Sequence, residues 1–430
     1  MVLEQEREKS WASLPQVSPR WSWNLGALLG FGALIFFLAL RLDPLRGWQA
    51  YLINFLFWGG MAQGAVVFAA IYHVVGGKWG PSVRRCAEGM VAFLPVSLAL
   101  FLPLYFTLDR FLSPARDLNP ARGAWFDPRF IFVRGGLGLG LMAVLSLFLV
   151  YYSVRLEVGW AQERKLRPRR WLYEWITDGW QGEAVESQRC QRGMDVLAAG
   201  VLLAYPMTYT FMAFDLIMAL DPFWYSSLFG GYYFISTFYL GLAGLALACV
   251  VVQGQLGPSV VTPSQLSDLG RLLLGFDLTY LAMVWSQYIV IWYGNLPEET
   301  QFMILRVWKM PWAIFSWGVL ALSVFIPFVI LLSQQAKRVP KMVFTVGVLI
   351  ASGLWLERYV LIVPSLWHSE SIPLGWVEIG VTAGFLGAFG LSYLFFLGRF
   401  PVIPFAFAGA QPAALENKGA GKSAKAEMAE

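Results

Sequence analysis

The stretch YLINFLFWGGMAQGAVVFAAIYHVVGGKW, residues 51–79, decides the fold class. It contains no Asp, Glu, Lys or Arg before Lys78. An α-helix needs about 20 predominantly apolar residues to cross a hydrocarbon core of about 30 Å, and this uncharged run is longer than that. The stretch therefore predicts a membrane-spanning helix.

The rest of the chain follows the same pattern. Of its 430 residues, 57% are hydrophobic and only 14% are charged, whereas an ordinary soluble protein carries about 25% charged residues. Apolar segments of suitable length occur near residues 25–41, 50–75, 87–107, 130–152, 196–219, 227–252, 270–293, 311–333, 342–363 and 375–397. A backbone that faces lipid must satisfy its own hydrogen bonds, and no alternating barrel pattern is visible. We therefore predict an all-α polytopic membrane protein of about ten transmembrane helices.

The sequence permits a division of these ten helices into two groups, although it shows no strict repeat. Helices 2–5 and helices 6–9 are expected to form two four-helix bundles, with helices 1 and 10 flanking them. The membrane domain is predicted to span residues 25–398, after a cytoplasmic tail of residues 1–24. Residues 399–430 are rich in Ala, Gly and Lys, which predicts a second cytoplasmic tail that is largely disordered.

Positive charges are distributed unevenly across the two sides of this domain. More than two thirds of the 32 Lys and Arg residues lie on the side of the amino terminus. The positive-inside rule therefore predicts that both termini are cytoplasmic. The net charge of +5 reflects this topology and does not indicate nucleic-acid binding.

Two short helices are predicted in the connections. The longest connection, residues 153–195, is basic, and its Trp171 and Trp175 are four residues apart, as on one face of a helix in the headgroup layer. After the seventh span, Asn295 and Glu298 have the spacing of a capping box, which predicts a helix start with Asn295 as its cap.

Ligands for redox centres are scarce. The three cysteines, Cys86, Cys190 and Cys249, form no CxxC or CxxCH motif, which argues against an iron–sulfur cluster or a c-type haem. The two histidines, His73 and His368, are expected about a bilayer thickness apart and so cannot sandwich one haem. We predict that the chain holds no cofactor, metal or redox centre of its own.

Several ionisable side chains nevertheless lie inside the predicted spans. Inserting one such charge costs roughly 2.5–3.5 kcal/mol, so these residues usually face a bundle interior and often mark a pathway. On the amino-terminal half they are His73, Glu88, Asp195 and Asp277, and on the opposite half Arg134, Asp215, Glu357, Arg358 and Glu378. We predict a proton pathway along Asp277, Tyr280, Tyr209 and Asp215, with His73, Glu88, Arg134, Glu357 and Arg358 as further candidates.

The acids of this set have different surroundings. Arg134 and Arg358 lie at a depth comparable to that of Asp215, so Asp215 is expected either to form an ion pair or to exchange a proton. Asp221 precedes a proline and is predicted to be a turn residue that caps a helix start. Asp277 lies about seven residues inside its span, with no basic residue at its depth, and is predicted to function in the pathway.

Three segments resemble a known family: residues 214–234 (FDLIMALDPFWYSSLFGGYYF), residues 285–302 (WSQYIVIWYGNLPEETQF) and residues 51–79. They are similar to the polysulfide-reductase-type (NrfD-like) membrane subunits, and most closely to the ActF-type subunits of bacterial alternative complex III. The resemblance implies a quinol-oxidising complex of the bacterial inner membrane. It also implies partner subunits, namely a paralogous NrfD-like subunit, an iron–sulfur protein with iron–sulfur clusters, and c-type cytochromes with haem c.

The family's quinol sites use a histidine and an acid near the outer side of the first four-helix bundle. Neither histidine of this chain is expected there, so no quinol ligand and no catalytic residue are assigned. The leading hypothesis is a membrane subunit, without its own redox centre, of a respiratory quinol:electron-acceptor (cytochrome c type) oxidoreductase. It would anchor the complex in the lipid bilayer and conduct protons.

Two alternatives stay open. A secondary transporter or channel would be expected to have discontinuous helices, with Gly or Pro interruptions at corresponding places in two halves. Pro206 and Pro327 interrupt predicted helices, but their positions are not equivalent. A purely structural membrane anchor, with its charges satisfied internally, is the second alternative.

Overall fold

The computed structural model describes Trp11 and residues 18–118, 123–166, 170–367 and 372–403. Within these ranges the chain is helical and contains no strand. Ten of the described helices are long and apolar enough to cross a membrane, which confirms an all-α, multi-pass membrane protein. Most of the two predicted tails lies outside the described residues, and so does His368.

We number the ten long helices α1 to α10. Their bounds are α1 (Pro19–Leu42), α2 (Pro44–Val74), α3 (Pro81–Ser113), α4 (Pro128–Glu163), α5 (Glu183–Leu220), α6 (Phe229–Leu256), α7 (Pro263–Gly294), α8 (Trp312–Leu332), α9 (Pro340–Leu366) and α10 (Trp376–Leu397). Most of them begin with a proline, whose fixed φ suits the first helical turn, where its missing N–H has no partner to lose. We call the side on which α1 begins the N side and the opposite side the far side.

The helices form two four-membered rings. Each of α2, α3, α4 and α5 packs against the next, and α5 closes the ring against α2. The helices α6, α7, α8 and α9 form a second ring in the same way. The pair α1 and α10 packs together against the outside of α2. The predicted two bundles with two flanking helices are therefore confirmed.

The two bundles meet where α2 crosses α6. A Cβ atom added to Gly241 of α6 would lie 2.4 Å from the carbonyl carbon of Gly64 in α2. A Cβ atom added to Gly64 would lie 2.5 Å from the carbonyl oxygen of Thr237. Glycines allow this close approach of two backbones, which is a common way to pack helices in membranes, where lipid removes most of the hydrophobic driving force.

The close approach of α2 and α6 makes the stability of the protein sensitive to a substitution at Gly241. Gly241→Ala is expected to lower the stability of the protein by roughly 1–3 kcal/mol, because the new methyl group would overlap a backbone that cannot move away. Gly254→Ala in the same helix is the matched control, since a Cβ atom there has no neighbour within 4 Å, and alanine favours a helix over glycine. Thermal unfolding in detergent should show a lower Tm for Gly241→Ala only. Equal Tm values for the two variants would contradict the close crossing.

The connections confirm two predictions and correct two. The helix Trp171–Ile176 lies in the basic connection as predicted, and a helix Pro297–Val307 follows α7. Asn295 does not cap that second helix: it ends α7 in the left-handed conformation, with φ of 47°. Asp221 is a turn residue that accepts the N–H of Phe223 at 3.3 Å, but it caps no helix, because α6 begins only at Phe229.

Candidate functional site

Glu88 lies in a buried ion cluster at the N-side end of the first bundle. Its carboxylate accepts from Arg84 Nε at 2.8 Å, from Arg85 Nη1 at 2.7 Å and from the Ser153 hydroxyl at 2.8 Å. Arg85 also donates to Glu157 at 2.5 Å. Buried charges of this kind are stable only when paired and hydrogen-bonded. The cluster thus joins α3 to α4 electrostatically.

His73 lies at the N-side end of α2. Its Nε2 atom is 2.7 Å from Oδ1 of Asp195 in α5, and the Asp195 side chain is 57% exposed. Both predicted residues therefore form one surface pair, which connects α2 to α5 and lies far from the acids on the far side.

Arg134, rather than Arg358, holds Asp215. The guanidinium donates to both carboxylate oxygens, from Nε at 2.8 Å and from Nη2 at 2.5 Å. It also lies 4.0 Å from the ring centroid of Trp125 and 4.7 Å from that of Phe130. A carboxylate with both oxygens engaged by a fixed arginine is arranged as a structural tie between α4 and α5.

Tyr209 lies apart from this ion pair. Its hydroxyl donates to the carbonyl oxygen of Gly59 at 3.4 Å, and its ring is stacked 6.3 Å from that of Tyr233. Among the hydrogen bonds of the described residues, none links Tyr209 to Asp215 or to Tyr280. The structure therefore brings together only part of the predicted pathway.

Another buried polar group lies in the second bundle, around Glu357 of α9. Its carboxylate is 3% exposed and accepts hydroxyl groups from Tyr232 and Ser236 of α6 and from Tyr280 of α7, the last two at 2.8 Å and 2.9 Å. Arg358 donates to the same carboxylate. Three helices thus direct their polar side chains to one acid.

Arg358 is fully buried, and α6 supplies acceptors for both of its terminal nitrogens. Its Nη1 atom donates to Ser236 at 3.1 Å and its Nη2 atom to Thr237 at 3.3 Å. The guanidinium also lies 4.5 Å from the ring centroid of Tyr233. Because Arg358 contacts Glu357, the charges of the two side chains offset each other inside the membrane.

Asp277 lies about one turn from Tyr280 on the same face of α7 and is completely buried. Within the described ranges, neither of its carboxylate oxygens receives a hydrogen bond. The Tyr239 hydroxyl is a polar neighbour of the Asp277 carboxylate. This hydroxyl donates to the carbonyl oxygen of Ser323 at 3.0 Å. An isolated charge at this place would cost several kcal/mol, so packing alone does not explain the acid.

The position of Asp277 along its helix differs from the prediction. The helix α7 begins at Pro263, so Asp277 lies near its middle and not about seven residues from its N-side end. The Ser323 carbonyl beside Tyr239 belongs to a π-helical turn, Ala321–Phe325, in α8. Such turns are rare and occur frequently at functional sites.

These residues form a file of polar side chains within the second bundle, with a gap between Asp277 and the hydroxyl groups nearest to it. We call Asp277, Tyr239, Tyr280, Glu357 and Tyr232 the tyrosine–acid chain. The rings of Tyr239 and Tyr280 are stacked with centroids 5.8 Å apart, and the hydroxyls of Tyr280 and Tyr232 both reach Glu357. The chain runs from the middle of the bundle towards the far side.

The tyrosine–acid chain ends at a cavity of about 150 Å³, which we call the far-side cavity. Its polar lining includes Tyr232, Tyr280, Gln287, Arg306 and Glu357. Within the described chain, Gln287 Nε2 finds no acceptor. Buried donors that lack a protein partner commonly bind ordered water. The cavity therefore offers the tyrosine–acid chain a place for water.

The helix Pro297–Val307 covers this cavity with Arg306. Pro364 has no N–H, so the carbonyl of Val360 lacks its usual partner within α9. Arg306 supplies that donor from Nε at 3.0 Å, and its Nη2 atom donates to Leu361 at 3.2 Å and to Ser365 at 2.6 Å. Burial lowers the pKa of Arg306 to about 9, so the guanidinium is still charged at neutral pH.

Sequence reasoning missed Tyr232, Ser236 and Tyr239, which lie on one stripe of α6 at intervals of four and three residues. That spacing was a usable signal. Arg306 was also missed, because it lies in a connection. Within the described residues, no group of three or more His, Cys, Asp or Glu side chains is placed to hold a metal ion.

Comparison with known proteins adds no family assignment. No protein-family model matches the sequence, and no curated protein matches it significantly.

Proposed function

We propose that this chain is the proton-conducting membrane subunit of a respiratory quinol:electron-acceptor oxidoreductase of the bacterial inner membrane. The observation that carries the proposal is the tyrosine–acid chain, which links a buried acid in the middle of a helix bundle to a cavity on the far side. The resemblance of three segments to NrfD-like subunits supports the assignment to such a complex. Haem c and iron–sulfur clusters would then be held by partner subunits, and both termini would be cytoplasmic.

The tyrosine–acid chain has the chemistry that proton transfer needs. Hydroxyl groups and protonated carboxyl groups both donate and accept hydrogen bonds. Each group can therefore receive one proton from a neighbour while it releases a different proton to the next group. Glu357 is the acceptor at the end of the chain, since Tyr232 and Tyr280 both direct their hydroxyls to it. The step between Asp277 and Tyr280 covers three residues, about 4.5 Å along the helix axis, a gap that one water can bridge.

The far-side cavity gives the chain an exit. Glu357 lines it directly, so a proton released from the carboxylate enters a space that can hold water. Arg358 offsets the negative charge that remains on Glu357. In this proposal Asp277 is the donor in the middle of the membrane, and Glu357 passes protons between it and the far side.

Glu357→Gln tests the exit. The complex would be purified with this variant, reconstituted in liposomes, and assayed for protons moved per quinol oxidised with a pH-sensitive dye. Proton movement is expected to fall to the leak of protein-free liposomes, because an amide cannot exchange a proton. Glu378→Gln is the matched control: Glu378 is also buried on the far side, but Arg46 holds both its oxygens at 2.7 Å. Normal coupling in Glu357→Gln would reject this route.

A secondary transporter is the second candidate. The π-helical turn of α8 and the far-side cavity are features that a solute pathway would also use. Isolation in a mild detergent distinguishes the two. A haem spectrum and c-type cytochromes that purify with the chain would support the redox complex, whereas a chain that purifies alone and binds a solute would support transport.

A further inference from the structure

A second concave surface lies on the N side, far from the tyrosine–acid chain. The helix Trp171–Ile176 packs against α4. Together with α3, α4 and α10 it lines a groove of about 370 Å³, within the roughly 300–1,000 Å³ of small-molecule sites. We call it the N-side groove. Its lining is almost entirely apolar and includes Pro95, Phe148, Leu172, Trp175 and Phe396.

The short helix is fixed in place, so the groove is preformed. The Tyr173 hydroxyl donates to the carbonyl oxygen of Arg399 at 2.8 Å. Arg155 of α4 donates to the carbonyl oxygens of Ile176 at 2.5 Å and of Asp178 at 2.9 Å. These hydrogen bonds fasten the short helix to both α4 and the segment after α10. Because these hydrogen bonds hold the short helix in place, it does not move inward to cover the apolar lining of the groove.

Two arginines adjoin residues that line this groove. The Arg399 guanidinium lies 3.6 Å from the ring centroid of Phe395, another lining residue, and donates to its carbonyl oxygen at 3.0 Å. Arg170 directly precedes the short helix and is exposed. Burial lowers the pKa of Arg399, and the nearby charge of Arg170 lowers it further. In the described part of the chain, no carboxylate forms an ion pair with either arginine.

We propose that the N-side groove binds one anionic diacyl phospholipid, with an acyl chain along Trp175 and Phe396 and its phosphate between Arg170 and Arg399. Two like charges that repel each other and lack a carboxylate partner are complementary to a phosphate group. The apolar lining below them is complementary to hydrocarbon. Basic pockets between transmembrane helices at this membrane face recognise anionic headgroups in this way. A zwitterionic lipid fills the same groove without neutralising the pair.

Lipid competition on the full-length protein tests the proposal. The purified wild-type protein would be mixed with dioleoyl phosphatidylglycerol and dioleoyl phosphatidylcholine in equal amounts, and the retained lipid counted by native mass spectrometry. Retention of one phosphatidylglycerol per chain is expected. Equal retention of the two lipids by the wild-type protein would overturn the proposal without any variant, and so would a partner subunit that covers the groove in the native complex and leaves no lipid there.

A double variant then locates the site. Arg170→Gln with Arg399→Gln is expected to reduce the preference for phosphatidylglycerol by about 30-fold, the effect of two basic residues near a headgroup. Arg271→Gln is the matched control, because Arg271 lies on the N side, is 57% exposed and pairs only with Asp268 among the described residues. An unchanged preference in the double variant would place the lipid elsewhere and overturn the proposal.

Discussion

Asp277→Asn is expected to reduce coupled proton movement to the leak of protein-free liposomes while leaving the fold intact. Asparagine has nearly the same size and shape as aspartate, but its amide cannot take up and release a proton. The described residues give the Asp277 carboxylate no ion pair and no hydrogen bond of normal geometry, and the amide oxygen of asparagine still faces the Tyr239 hydroxyl, so little stability is expected to be lost. Loss of coupling without loss of stability would show that Asp277 has a functional role and not a structural one.

Asp215→Asn is the control for this variant, with the opposite pattern expected. It removes the charge from a carboxylate that Arg134 holds through two hydrogen bonds, so the Tm should fall. Proton movement per quinol should stay at the wild-type value, because Asp215 does not belong to the tyrosine–acid chain. Both quantities would be measured on the same reconstituted preparations. Normal coupling in Asp277→Asn, or loss of coupling only in Asp215→Asn, would contradict the assigned route.

Arg358→Leu is expected to destabilise the protein by roughly 3–5 kcal/mol, the cost of leaving one member of a buried ion pair alone. Glu357 would keep its hydroxyl donors, but no cation would offset its charge in the bundle interior. Thermal unfolding in detergent should show a large decrease in Tm. Arg271→Leu on the exposed face of α7 should leave the Tm almost unchanged, since exposed ion pairs contribute only about 0–1 kcal/mol.

A double variant shows whether the uncompensated charge is the cause. Glu357→Leu combined with Arg358→Leu removes both charges, and replacing a buried pair by apolar residues is often neutral or stabilising. The double variant is therefore expected to regain much of the Tm that Arg358→Leu alone loses. If the double variant is as unstable as the single one, the loss arises from packing and not from the charge of Glu357.

Hydropathy was sufficient to predict the fold but not the helix ends. The segments near 130–152 and 196–219 were recognised as spans, yet α4 and α5 extend well beyond them on the N side. Those extensions are polar, so a search for apolar residues detects only the part inside lipid. The same effect misplaced Asp277, whose helix begins at Pro263 rather than near residue 270.

The face of a helix that a side chain occupies could not be predicted from the sequence. Arg134 and Arg358 were both expected at the level of Asp215, and the choice depends on which face of each helix the side chain occupies. A span that is apolar on all sides gives little indication of its inward face. The contact of Tyr239 with Ser323 could not be predicted from the sequence either, because a π-helical turn depends on packing that the local sequence does not specify.

The hydrogen bonds from Arg306 to α9 also bear on how the protein is made. Arg306 precedes Pro364 in the chain, so during synthesis it is present before α9 enters the membrane. Because Pro364 has no N–H, the Val360 carbonyl lacks an amide partner within α9. When α9 inserts, this carbonyl would face hydrocarbon, where an unpaired backbone group is unfavourable. Arg306, which donates to this carbonyl in the folded protein, has been synthesised by then. The donor that the last ring helix of the second bundle needs thus precedes that helix in the chain, an order compatible with assembly of the bundle in chain order.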